Sequence, residues 1–117
     1  MTILAIDQGT TGTTCVLYNK QGQVLGKTYQ EFTQIYPKEG WVEHNAEEIW
    51  QSVINTIQEL LSKYPQSVNA VGITNQRETT IIWNKTTGHP IYNAIVWQCR
   101  RTTELCKQYE DAKEQIS

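Results

Sequence analysis

The sequence predicts an α/β or α+β layer: a mixed sheet that opens with an antiparallel meander and is flanked by helices. Three observations lead there. Short β-rich runs separated by turn residues fill residues 1–33. A long stretch with apolar residues at helical period follows. Further β-rich runs then return, and a second stretch at helical spacing ends the chain. Strands and helices in such blocks need a shared sheet to bury their apolar faces.

The elements follow in order. Residues 3–6, Ile-Leu-Ala-Ile, are a short apolar run stopped by Asp7 and Gly9, and read as a buried strand entering a turn. Residues 8–13, Gln-Gly-Thr-Thr-Gly-Thr, form a small-residue loop, and residues 15–18 resume the strand. Residues 19–22, Asn-Lys-Gln-Gly, have hairpin-turn chemistry, and residues 23–33 return as a third strand. Pro37 and Gly40 break the chain. Asn45 then predicts an N-cap, and Glu48 three residues on completes a capping-box pattern. The helix runs to about Lys63 and is closed by Pro65. Its stripe of Ile49, Trp50, Val53, Ile54, Ile57, Leu60 and Leu61 packs on the sheet, with Trp50 in the core. Residues 68–74 read as a buried strand. Residues 79–83 and 91–97 read as two more strands, with the turn at residues 84–88. Leu105, Cys106, Tyr109, Ala112 and Ile116 mark a second amphipathic helix, which Arg100 and Arg101 would begin.

Composition narrows the function. The 117 residues suit one domain. The formal net charge of −2, with Lys and Arg scattered apart from Arg100-Arg101, argues against a nucleic-acid partner and a basic membrane-binding face. Cys15, Cys99 and Cys106 are odd in number and lack CxxC spacing, so neither a disulfide framework nor a zinc site is expected. They read as inert free thiols of a reducing cytoplasm. The apolar start is too short and too quickly charged for a signal peptide, and no stretch is long enough for a membrane helix.

The run Asp7-Gln8-Gly9-Thr10-Thr11-Gly12-Thr13 is the strongest local feature. Gly and Thr at a strand turn can aim several N–H groups and hydroxyls at one anion. Gly9 and Gly12 would allow close backbone approach and positive φ. A carboxylate at the strand end can hold Mg²⁺, which takes oxygen ligands and keeps several waters. The plainer reading is a tight hairpin in which Asp7 bonds its own turn. The loop lacks the Gly-Lys-Ser/Thr ending of a Walker A motif and the strand–helix setting of a GxGxxG motif.

Gly72-Ile73-Thr74-Asn75-Gln76-Arg77-Glu78-Thr79-Thr80 is the second feature. Arg donates and carboxylate accepts, so Arg77 and Glu78 together can bracket the neighbouring hydroxyls of a small polyol. Read alone, an Arg-Glu dipeptide is more often a solvated pair. The third feature is residues 88–101, which contain Trp97. A Trp after a strand is commonly core, yet it can also present a flat apolar face while its indole N–H finds a partner. His44 and His89 have no metal-ligand spacing, and no direct chemistry is assigned to residues 36–44.

Together these motifs resemble one family. Asp7-Gln8-Gly9-Thr10-Thr11 is similar to the first phosphate loop of the actin-like ATPase superfamily, and most to its glycerol kinase version among the FGGY carbohydrate kinases. The Asn-Gln-Arg-Glu-Thr-Thr run and residues 36–44 and 88–101 resemble the same family, so the likeness spans residues 3–106. It implies an actin-like ATPase (ribonuclease H-like) α/β fold. Residues 1–117 would be part of its N-terminal domain, with a C-terminal domain absent. It implies ATP-dependent phosphorylation of glycerol to sn-glycerol 3-phosphate with Mg²⁺, in the cytoplasm, with ATP/ADP and glycerol as partners and no nucleic acid or membrane. By the same resemblance Asp7 serves the metal. Thr10, Thr11 and Gly12 face the nucleotide phosphates, with Thr10 next to the transferred group. Arg77 and Glu78 bond the glycerol hydroxyls, and Trp97 walls the glycerol carbons. One position departs: the family has Ser-Ser-Arg where this chain has Gly12-Thr13-Thr14, so Thr14 stands at the nucleotide site where a fixed cation is usual. The family's general base lies downstream, so the fragment alone is expected to be inactive. Uncovered apolar area on half of a cleft would favour a homo-oligomer. A kinase acting on a pentulose or gluconate, or a non-catalytic truncated module, are the alternatives.

Overall fold

The computed structural model describes residues 1–101. The expected second helix, with Cys106, lies outside them. Strands β1 (Thr2–Gln8), β2 (Gly12–Asn19) and β3 (Val24–Glu31) form the antiparallel meander. A two-residue strand β4 (Glu43–His44) leads into the helix α1 (Ala46–Lys63). Strand β5 (Ala70–Thr74) then adds parallel to β1, giving one four-stranded sheet in the order β3-β2-β1-β5. Strand β6 (Ala94–Ile95) pairs antiparallel with β4 in a separate small sheet.

Local chemistry explains the boundaries. Gly22 sits at φ 80°, where a Cβ would be strained, and closes the β2–β3 turn with its N–H on the Asn19 carbonyl at 3.0 Å. The Asn45 side chain caps α1 by accepting from the Glu47 and Glu48 N–H groups. Glu48 does not close a capping box. Its carboxylate accepts instead from the Thr33 N–H at 2.6 Å and hydroxyl at 2.9 Å, tying the chain after β3 to the helix.

The core lies between one sheet face and α1. Leu4, Ile6, Cys15 and Leu17 meet Leu60, with Leu25, Val53, Ile57, Leu61 and Val68 packed around them. The helix is turned relative to its apolar stripe. Ser52, Thr56 and Leu60 are its buried centre, and Trp50 is 64% exposed rather than core. Small hydroxyl residues permit this because each is satisfied inside. The Thr13 and Ser52 hydroxyls lie 2.6 Å apart, Cys15 Sγ donates to Thr56 Oγ1, and the Thr28 hydroxyl donates to the Thr56 carbonyl.

Two strand readings change. Residues 70–74 pair as expected but are exposed, with Ile73 71% accessible. Helix α1 stands mainly over β2 and β3, so β5 lies outside its cover. The strands expected at 79–83 and 91–97 shrink to the bridges Thr80↔Ile95 and Trp83↔Pro90 and to β6. Pro90 has no N–H to extend a ladder, and β6 spends its pairing on β4. The turn at 84–88 stands, with the Gly88 N–H on the Asn84 carbonyl at 2.7 Å. Among the described residues no helix is long and apolar enough to cross a membrane.

Candidate active site

Parallel pairing brings the two sequence motifs to one end of the sheet. Asp7 of β1 lies opposite Thr74 of β5, so the loop after β1 and the loop after β5 both leave the carboxyl ends of adjacent parallel strands. That end is where α/β sheets bind ligands. Gly9, Thr10, Asn75, Gln76, Arg77, Glu78 and Trp97 line a shared cleft of about 470 Å³. The Trp97 indole N–H donates to Thr10 Oγ1 at 3.1 Å, which joins a residue from the third motif to the first. Glu78 has φ 64°, in the left-handed region that a non-glycine residue rarely adopts. Such strain persists where surrounding structure enforces it and clusters at ligand sites.

Asp7 and Thr14 are Cα partners on the sheet face away from α1. They line a neighbouring cavity of about 520 Å³ with Lys27, Tyr18 and Thr74. Asp7 is exposed, and the loop backbone passes close enough that a Cβ on Gly9 would lie 4.0 Å from its Oδ1. A single carboxylate beside open loop backbone suits Mg²⁺, which binds through one or two carboxylates plus waters and phosphate oxygens.

Thr11 and Gly12 form the hairpin turn itself, where the Gly9 N–H donates to the Gly12 carbonyl and the Phe32 N–H to the Thr11 carbonyl. Neither Gly9 nor Gly12 takes positive φ, contrary to the sequence expectation. Gly12 is glycine for packing: a Cβ there would meet the Gln30 carbonyl oxygen at 2.5 Å and the Tyr29 ring at 2.8 Å.

Behind the cleft runs a polar chain that sequence reasoning missed. His44 is fully buried, with Nε2 2.7 Å from Gln34 Oε1 and Nδ1 3.2 Å from Gln76 Nε2. Gln34 Nε2 donates to the Thr10 carbonyl at 3.0 Å, and Gln76 Oε1 accepts from the Thr79 hydroxyl at 3.1 Å. Burial holds the imidazole below its ordinary pKa, with the Glu48 carboxylate partly opposing. Glu43, 1% exposed, accepts from the Tyr92 hydroxyl, the Asn93 amide and the Arg101 guanidinium. Burial alone would raise its pKa, but those three donors and the Arg101 charge outweigh burial and lower it. Arg101 also stacks on Trp41 at 3.8 Å. The sequence signal for Glu43 and His44 was position alone: two ionisable residues between an apolar pair and an N-cap.

The thiols diverge. Burial pushes Cys15 up, only partly offset by its bond to Thr56. Cys99 corrects the expectation of no activating context. Burial would raise it, but hydrogen bonds from Arg101 and from backbone groups, with the Arg101 charge, bring it below the ordinary value.

The N-terminal domain model of the FGGY family of carbohydrate kinases matches residues 2–117. A glycerol kinase from Desulforamulus reducens is 56% identical over 91% of this chain, and one from Halothermothrix orenii is 54% identical over 93%. The chain spans 22% of the length of each of these relatives. A solved Plasmodium falciparum glycerol kinase with ADP superposes with a TM-score of 0.86 at 38% identity, covering 92% of this chain and 22% of that one. A solved gluconate kinase from Lactobacillus acidophilus shares the fold, with a TM-score of 0.89 at 22% identity over 95% of this chain and 22% of that one.

Proposed function

Because the chain belongs to the FGGY family of carbohydrate kinases, we propose that it is the N-terminal part of an enzyme that transfers the γ-phosphoryl group of ATP to glycerol. One observation carries the reading: Thr10 of the loop after β1 and the Arg77-Glu78 pair after β5 line a single cleft with Trp97.

Each group has a task that its chemistry suits. Arg77 donates to glycerol hydroxyls and Glu78 accepts from them, which orients a terminal hydroxyl. Trp97 lies against the carbons while its indole N–H holds Thr10. Thr10, Thr11 and Gly12 bear on the phosphates, with Thr14 on the adjoining strand face. Asp7 is the residue that would hold Mg²⁺, and the ion would offset charge on the transferring group. The terminal hydroxyl oxygen forms a bond to the γ-phosphorus as the bond to the β–γ bridging oxygen breaks. The products are sn-glycerol 3-phosphate and ADP. No residue of this chain is assigned as the base that takes the hydroxyl proton. Free Cys15 and Cys99 suit a reducing cytoplasm.

The test is a full-length glycerol kinase relative in which these 117 residues replace the matching N-terminal segment. ADP release should depend on glycerol and be far weaker with xylulose or gluconate. Equal rates on all three, or no rate on glycerol, would overturn the reading. The isolated chain should release no ADP, since most of its relatives' length is missing from it.

A further inference from the structure

We infer that His44 is a positioning residue that locks the two walls of the candidate polyol cleft to each other through a neutral imidazole protonated on Nε2. The inference rests on the kinase reading for the identity of the ligand, but its wiring stands on geometry.

For a neutral ring the hydrogen bonds leave one consistent arrangement. Gln34 Nε2 faces the Thr10 carbonyl, which can only accept, so the Gln34 amide cannot turn over. Its Oε1 therefore faces His44 Nε2 at 2.7 Å, and that nitrogen must carry the proton. His44 Nδ1 is then bare and accepts from Gln76 Nε2 at 3.2 Å. Gln76 Oε1 is left to accept from the Thr79 hydroxyl. No buried side-chain nitrogen or oxygen among the described residues lacks a partner, so every link is satisfied in this one state.

The two arms end at the cleft. Thr10 and Gln76 both line it, and Gln76 directly precedes Arg77 and Glu78. The ring cannot drift. Its edge packs on Phe32 with centroids 4.8 Å apart, and β4 is held by β6 and by the Ile35 backbone. Protonating Nδ1 would set two donors against each other and force the Gln76 amide to turn, which loosens the Arg77-Glu78 loop. The charged groups around the ring are the Glu48 carboxylate on α1 and, one residue back, Glu43 with its Arg101 partner.

The test has two arms in the full-length hybrid described above. Nitrogen-15 spectra of labelled histidine should show His44 as the Nε2–H tautomer, taking up its second proton at lower pH than a free histidine does. Tautomer averaging with an ordinary titration would overturn the wiring. In kinetics, His44→Phe keeps the ring and its contact with Phe32 but removes both nitrogens. It should raise the KM for glycerol about tenfold, the scale of one or two lost buried hydrogen bonds. His44→Asn and His44→Gln each restore one link and should fall between. A purely structural role would lower the active fraction, and so the rate per mole, without moving KM. Folded Phe, Asn and Gln variants all within about twofold of wild-type KM would sink the inference. If the Phe variant fails to fold, the Asn and Gln variants decide by the same criterion. A hybrid that shows the tautomer but does not phosphorylate glycerol would refute the kinase reading and leave the wiring intact.

Discussion

The meander with its helix and the loops of residues 75–101 sit side by side, yet different forces hold them. The first region is held largely by burial. Leu4, Ile6, Leu17 and Leu60 interlock, and where the helix comes close the Thr13 and Ser52 hydroxyls bond each other while the Thr56 hydroxyl donates to the Ser52 carbonyl. The second region has little regular structure, and many of its large apolar side chains, Ile82, Trp83 and Ile91 among them, are exposed. Its order comes from β4, where Glu43 gathers Tyr92, Asn93 and Arg101 and His44 gathers Gln34 and Gln76. Apolar packing is non-directional and degrades gradually, whereas a buried charge is costly unless fully paired. The residues assigned to substrate therefore rest on the more exacting of the two kinds of support.

The sharpest way to break this contrast is Glu43→Ala. It strands the Arg101 guanidinium, whose side chain is only 15% exposed, without its carboxylate. Removing one member of a buried pair costs about 3–5 kcal/mol, and two further donors lose their acceptor. Leu17→Ala in the meander should cost a comparable ~2–5 kcal/mol. The distribution should differ. Hydrogen exchange after Glu43→Ala should rise in residues 92–101 and leave β1–β3 protected, while Leu17→Ala should loosen the whole sheet. Urea titration and exchange of both variants measure this, and uniform loosening by Glu43→Ala would dissolve the contrast.

Arg77→Ala tests the loop region through function. In the hybrid enzyme it should lower kcat/KM for glycerol by on the order of 10²-fold, the scale of one or two hydrogen bonds to a charged group. Its stability should stay within about 0.5 kcal/mol of wild type, because Arg77 is exposed. A large loss of stability would instead make Arg77 part of the scaffold.

How far these features were legible depends on which force made them. The meander, the Asn45 cap and the end of α1 at Lys63 follow from turn residues and period, which are local, and the structure has them. Trp50 was misread because the stripe marks a helix's apolar arc without fixing which edge of it faces the sheet. Here the hydroxyls of Ser52 and Thr56, satisfied by Thr13 and Cys15 far away in sequence, turned the helix. The cleft motifs were legible because their residues are contiguous. Gln34, His44 and Gln76 were not, since their meaning lies in one another and in Thr10, at separations of 10, 24 and 32 residues.

Acid should separate the regions by a smaller amount. His44 and Glu43 both titrate below their ordinary values of 6.5 and 4.5 in the folded chain, so the unfolded chain binds more protons in those windows. Their stabilisation is present above the ordinary values and is lost as pH falls, first through the His44 window and then through that of Glu43. Protection of residues 75–101 should therefore fall in two steps on acidification while β2 stays protected. Exchange measured at about pH 7, about 5.5 and about 4 would show it, and simultaneous loss in both regions would count against the division.

The smallest effect tests the boundary between the regions. Thr14 is rooted in the rigid meander yet faces the Asp7 cavity, where the family pattern has an arginine. Thr14→Arg would add a cation on a strand that does not need to move, so little ordering entropy opposes it. We expect kcat/KM for ATP in the hybrid to rise about fivefold, the equivalent of ~1 kcal/mol of added phosphate attraction. Lys27 lines the same cavity from β3 and already supplies a positive charge there, which limits the gain. Lys27→Gln in the native background resolves the two contributions. If it weakens ATP use and Thr14→Arg restores it, the meander carries the nucleotide's charge from neighbouring strands. If neither change moves the ATP kinetics, the Asp7 face of the sheet has no part in binding phosphate.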